Sequence, residues 1–360
     1  MNQGNLKGVG VPKNIYQTGD VIFRKTSLGS PGNGWVNPNS FIYNNQTQKL
    51  VNLLPFNFIW NTQTSNFGSS VIYAIAYGNG TWVAGGSGGT LRTSTDTVNW
   101  NTQTSNFGTS AINAIAYGNG TWVAGGAGGT LRTSTDTVNW NTQTSNFGTS
   151  AINAIVYGNG TWVAGGGGAL RTSTDTVNWN TQTSNFGASI IFSVAYGNGT
   201  WVAGGAGGTI RTSTDTINWN TQTSNFGTSG MYAMAYGNGT WVAGGGVGTL
   251  RTSTNTINWN TQTSNFGVSG IQSIAYGNGT WIAVGSGGTL RTSTDTINWN
   301  IQTSNFGISN IQSIAYSNCT WIAGGFSGTL RTEYLFSNGN ISNVSIPISS
   351  PTGYTPYIKT

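Results

Sequence analysis

The sequence predicts an all-β chain whose main body is a seven-bladed β-propeller. Three observations carry the prediction. A tryptophan-centred segment recurs seven times along the 360 residues, at a spacing of 40 residues and once 39. Each repeat divides into four short strand-like runs punctuated by turn signals. The repeats are also out of phase with the chain, so the first fragment supplies what the last repeat lacks. Four-stranded units of about 40 residues are the blades of a propeller.

Two tryptophan series mark the period. One lies in Asn-Trp-Asn-Thr-Gln-Thr-Ser-Asn-Phe-Gly and its variants, at Trp60, Trp100, Trp140, Trp179, Trp219, Trp259 and Trp299. The other lies in Gly-Thr-Trp-Val/Ile-Ala or its variant, at Trp82, Trp122, Trp162, Trp201, Trp241, Trp281 and Trp321. In one unit, residues 114–117 (Ala-Ile-Ala-Tyr) form the first expected strand. Gly-Asn-Gly follows, a hairpin signal because Asn and Gly tolerate positive φ. Residues 121–124 are the second strand, the Gly-rich stretch 125–129 turns the chain, and 130–133 are the third. A Ser-Thr-Asp turn then leads to a fourth strand at 138–142. No helical periodicity occurs.

Phase predicts closure. The fourth-strand segment around Trp60 precedes the first full unit, and the last unit stops at Arg331-Thr332 without a fourth strand. The two are expected to pair, completing blade 7 and removing an open sheet edge. The chain therefore divides into an N-terminal segment 1–57, a propeller 58–332 and a C-terminal segment 333–360, the outer two forming one small β-rich domain.

Composition narrows the chemistry. Histidine is absent, Asp plus Glu total 7, and only 6% of residues are charged. Imidazole acid–base catalysis and His-rich metal sites are therefore excluded, and no cofactor is expected. Outside the repeat turns the side-chain carboxylates are Asp20 and Glu333, so a pair of cooperating carboxyls is not expected and the protein reads as a non-enzyme. The net charge of +6 is not concentrated: residues 58–332 hold seven Arg against five Asp, with no basic run to follow a phosphate backbone. No nucleic-acid partner is expected. The start lacks a signal-peptide-like apolar stretch, and no run is long enough for a membrane span. Cys319 is the only cysteine and reads as a bystander.

Several residue sets recur once per repeat. The arginines Arg92, Arg132, Arg171, Arg211, Arg251, Arg291 and Arg331 read as structural partners of a turn or neighbouring blade, with an anion-binding ring as the other reading. The Tyr77 and Phe67 series read as core between blades. Two places differ from blade to blade: the lead-in to the first strand, and the turn between second and third strands. Both fall on one face of an up-and-down blade, and binding residues concentrate on such loops. Candidate ligand-binding residues are Tyr73, Asn113, Asn153, Phe192, Tyr232, Gln272 and Gln312.

The Ser-Thr-Asp-Thr-Val-Asn-Trp element, Ser94 to Trp100, resembles the Asp box of sialidase-like propellers. That resemblance implies a turn-fastening role for Asp96, Asp136, Asp175, Asp215 and Asp295, with Asn255 in the same place in blade 5. The flanks resemble bacteriophage tail-collar and tail-fibre proteins. Gly19-Asp20-Val21-Ile22-Phe23, then Gly32-Asn33-Gly34-Trp35, matches their opening pattern, and Phe41-Ile42-Tyr43-Asn44 sits where a Tyr-containing segment follows. The ending Thr355-Pro356-Tyr357-Ile358-Lys359-Thr360 is similar to theirs. The resemblance implies a virion protein, adhesin-like and oligomeric in the particle. Its segments 1–57 and 333–360 would dock to other virion proteins, and its propeller would bind a host-surface glycan or receptor. A structural or decoration protein without a ligand is the alternative, and a sialidase-like glycosidase a minor one.

Overall fold

The computed structural model describes residues 58–334, with side chains through Glu333, and the backbone of four short strands outside that span. Asp20, the Gly32–Trp35 motif and most of 333–360 lie outside the described residues.

Seven four-stranded antiparallel sheets follow one another along the chain, six of them with their strands in sequence order. Blade 2 is representative: Ile112–Gly118, Thr121–Gly126, Leu131–Ser134 and Asn141–Thr142. Asn119 and Gly120 carry φ of 45° and 76°, so the first hairpin is a tight turn with both central residues left-handed, as Asn-Gly permits. The second hairpin contains a one-turn 3-10 segment, Ala127–Gly129.

Closure occurs as the phase requires. Asn61–Gln63 pairs with Leu330–Tyr334 through Leu330↔Gln63, Arg331↔Thr62 and Thr332↔Asn61, giving blade 7 its outer strand. The third strand runs on to Tyr334 because Glu333 and Tyr334 still pair, with Trp321 and Thr320.

The core lies between blades rather than within them. At the first seam Ala74, Val83 and Leu91 of blade 1 meet Ile112, Ile115, Trp122, Ala124 and Trp140 of blade 2, with Phe107 of the linker between. Every one of the fourteen repeat tryptophans is at most 2% exposed. Burial of side chains this large stabilises by on the order of 3 kcal/mol each. Close approach depends on glycine: a Cβ on Gly78 would lie 2.2 Å from the Tyr117 ring of the next blade.

The fourth strand differs from expectation. It starts at Asn101 or its equivalents, after the tryptophan rather than two residues before it. The Asp96 carboxylate accepts the backbone N–H groups of Val98 and Asn99, which a strand would have needed for its ladder. Thr97 is left-handed at φ 66°.

The hairpins after the first and third strands share one face, which repeats almost identically. The lead-ins and the second hairpins share the other, which varies. Both ends of the propeller chain, Phe58 and Tyr334, emerge on the uniform face. In the terminal segments, Val21–Lys25 pairs antiparallel with Tyr354–Ile358, and Phe41–Asn44 with Lys49–Asn52.

Deleting residues 58–64 leaves the edge of Leu330–Tyr334 unpaired, and the protein is expected to aggregate at temperatures where the full chain is soluble. Light scattering during a melt checks this; an unchanged, soluble transition would rule out closure by that strand.

Candidate functional site

The seven expected ligand residues occupy one structural position. In each blade the first strand pairs with the second until a β-bulge near its start: Ile112 opposes Gly126 and Ala114 opposes Gly125, leaving Asn113 with no partner. Tyr73, Asn153, Phe192, Tyr232, Gln272 and Gln312 stand at the same bulge in the other six. A bulge re-aims the side chain it carries. All seven line the central channel, a space of about 340 Å³ walled by the inner strands of every blade. No Asp, Glu, Lys or Arg is among the lining residues.

The channel wall falls into sectors. On blades 2 and 3 the carboxamides act as wall fasteners: Asn113 Nδ2 donates to Ile152 O at 3.2 Å, and Asn153 Nδ2 to Ile191 O at 3.0 Å. On blades 4 and 5 Phe192 and Tyr232 pack edge to face, centroids 5.2 Å apart and planes at 75°. On blades 4, 6 and 7 serine (Ser193, Ser273, Ser313) replaces alanine, and two of the three bridge blades: Ser313 Oγ accepts from Ile75 N of blade 1 at 3.1 Å, and Ser273 Oγ from Ile314 N at 3.3 Å. Among the described residues, the carboxamides of Gln272 and Gln312 and the hydroxyls of Tyr73 and Tyr232 make no hydrogen bond. Sequence reasoning picked out the bulge series by its variation but missed the bridging serines; the Ala-to-Ser changes at 193, 273 and 313 were the available signal, though residue type does not tell which of the three bridge blades.

The turn residues are fasteners. Asp96 Oδ1 accepts from Val98 N at 2.9 Å and Asn99 N at 2.8 Å, and Oδ2 from Asn99 Nδ2 at 2.7 Å. These bonds hold its carboxyl down at about 2, and the same set holds Asp295 at about 2. Asp136, Asp175 and Asp215 are likewise depressed by the backbone and side-chain N–H groups of Asn139, Asn178 and Asn218. Asn255 makes the two backbone bonds with a neutral oxygen, to Ile257 N at 3.0 Å and Asn258 N at 2.9 Å. A charge is therefore not required for the turn.

The arginines tie each blade to the preceding linker. Arg132 Nε and Nη2 donate to Asn106 O at 3.0 and 2.7 Å, Nη1 donates to Leu131 O, and the guanidinium lies 5.2 Å from the Phe107 ring centre. Tyr117 packs on Trp122 at 4.9 Å and against Gly78 of blade 1, an inter-blade role.

Glu333, the carboxylate a hydrolase would need at the channel mouth, is elsewhere. It sits opposite Trp321 near the uniform-face end of blade 7, is 8% exposed, and accepts a bond from the Ile59 backbone. Burial pushes its carboxyl up to about 8.

No family model matches this chain, and no curated protein matches it. Solved structures do. YCF48 from Cyanidioschyzon merolae is 16% identical, with a TM-score of 0.62 over 76% of this chain and 98% of that one. A structure of YCF48 bound to D1 peptide gives 16% identity and a TM-score of 0.63, over 78% and 98%. The WD40 β-propeller domain of Doa1 is 14% identical, with a TM-score of 0.60 over 76% and 97%. At these identities the likeness establishes the propeller fold alone.

Glu333 makes stability depend on pH with a definite sign. Its folded pKa lies above its unfolded value, so its favourable contribution is complete below about pH 4.5 and is lost as pH rises towards 8. Across that window each pH unit removes at most about 1.4 kcal/mol. Glu333→Gln is expected to flatten this slope and raise the melting temperature at pH 8. Melts of both proteins from pH 5 to 8 check it, and parallel slopes would contradict the assignment.

Proposed function

We propose that this chain is a non-enzymatic attachment component of a virion, whose propeller binds a host-surface glycan at the mouth of its central channel. One observation carries the reading. The seven bulge side chains that differ from blade to blade meet in one channel, while the framework around them is nearly repeated. Uncharged carboxamides, hydroxyls and an aromatic pair are the groups that engage sugar hydroxyls and ring faces. A lining without carboxylates supports binding without hydrolysis.

The collar-like motifs support a docking role on other virion proteins for residues 1–57 and for the segment that follows blade 7. The pairing of Val21–Lys25 with Tyr354–Ile358 is consistent with both termini serving that one role. Both ends of the propeller chain emerge on the uniform face, and the glycan would bind at the variable one. Oligomerisation in the particle would multiply weak contacts through effective concentration.

A polypeptide ligand is the second reading, favoured by the peptide held by the structurally similar YCF48. A ligand-free decoration protein is the third.

The test is binding of the full chain to a glycan array and to whole bacterial cells. Tyr232→Ala and Tyr73→Ala are expected to weaken glycan binding about tenfold or more, some 1.4 kcal/mol, without lowering the melting temperature. Absence of binding to any glycan would leave the peptide and decoration readings.

A further inference from the structure

The variable face is not equivalent around the ring. Directly after the Phe-Gly pair of each lead-in stand Ser69, Thr109, Thr149, Ala188 and Thr228, but then Val268 and Ile308. These two side chains are 86% and 93% exposed. In the second hairpin, blade 5 has Val247 where blades 1, 2, 4 and 6 have Gly88, Gly128, Gly207 and Gly287. Val247 is 65% exposed and held left-handed at φ 53°, ψ 39°. A β-branched residue there is strained, and an exposed one gains no burial in return. Aliphatic side chains thus collect on the variable face in blades 5 to 7, at positions where the other blades have Gly, Ser, Thr or Ala.

The same sector holds three of the four free polar side chains of the channel, the fourth being Tyr73 on blade 1. The Tyr232 hydroxyl is 3.6 Å from where a Cβ on Gly246 would lie, beside Val247. The Gln272 carboxamide is 3.3 Å from the Cβ position of Gly270, two residues from Val268. Gln312 follows on blade 7. In contrast, Asn113 and Asn153 on blades 2 and 3 are already bonded to backbone carbonyls.

We propose that the mouth at blades 5 to 7 is a subsite for acetamido groups, so that the ligand is an uncharged N-acetylated glycan. This rests on the glycan reading and narrows it. An acetamido substituent offers one N–H, one C=O and one methyl. The Gln272 and Gln312 carboxamides each supply both a donor and an acceptor, so they can satisfy the amide in both directions. Val247, Val268 and Ile308 supply an apolar surface for the methyl, which a sugar bearing only hydroxyls would leave wet. An acidic or amino sugar gains nothing, because no lining residue carries an opposite charge. A site built to bond an amide rejects the analogue lacking it, since its own polar groups are then left unpaired.

Calorimetric titration of the full chain with chitotetraose, cellotetraose and fully de-N-acetylated chitosan tetramer tests the assignment. Chitotetraose is expected to bind about tenfold or more tighter than either other sugar. Val268→Ser with Ile308→Thr, which restore residues found in other blades, should reduce that preference to about threefold or less without lowering the melting temperature. Gln272→Leu with Gln312→Leu should do the same. Equal binding of chitotetraose and cellotetraose would overturn the acetamido assignment and leave the glycan reading standing. Binding of neither, together with a blank glycan array, would overturn both. Preference retained in both double variants would place recognition elsewhere and overturn the subsite.

Discussion

The propeller depends on a close approach between consecutive blades. Each first strand ends in a residue pressed against the tyrosine ring of the next blade. Where that residue is glycine, an added Cβ would lie between 2.0 and 2.4 Å from the ring. A second contact repeats inward, where a Cβ on Gly85 would lie 2.7 Å from Ile112 of the next blade. Two seams depart from this pattern. Ser317 replaces the outer glycine between blades 7 and 1, and the buried Val284 replaces the inner one between blades 6 and 7. Those are the two seams crossed by a serine hydroxyl, from Ser313 to Ile75 N and from Ser273 to Ile314 N. A hydrogen bond joins the blades at the two seams where one of the two glycine contacts has been replaced.

A framework fixed in this way leaves few places for difference, and the bulge is one of them. Its residue is outside the strand ladder, so its identity does not disturb pairing, and it projects into a channel shared by all blades. Blades 2 and 3 use the position to fasten the wall, whereas blades 5 to 7 and blade 1 leave their polar ends free. The propeller therefore combines a nearly symmetric scaffold with an asymmetric lining. Asymmetry of this kind suits recognition better than uniform spacing. The uniform face, held by Asp or Asn turns and bearing both ends of the propeller chain, presents no comparable variation.

Much of the fold was legible in the sequence because each blade repeats its own signals. The two tryptophan series gave the period, Gly-Asn-Gly the first hairpin, and the phase around Trp60 the closure with Leu330–Tyr334. The fourth strand was misjudged at its start because the Asp96 carboxylate takes the N–H groups of Val98 and Asn99, a choice that β propensity does not register. The candidate channel residues could be found by comparing repeats, yet the bulge that turns them inward leaves no mark in residue type. Val268 and Ile308 were visible as departures from Ser and Thr, but only the fold puts them on the same face as Gln272. Glu333 could be counted as a spare carboxylate from sequence; its distance from the channel lining required the three-dimensional arrangement.

The central claim is that the scaffold and the proposed recognition surface are separable. It is tested most directly by a symmetrised chain carrying Asn at all seven bulge positions, as blades 2 and 3 already do, compared with the natural chain for melting temperature and for binding to bacterial cells. The account predicts an unchanged melt and lost binding. Retained binding, or a scaffold that no longer folds, would contradict it.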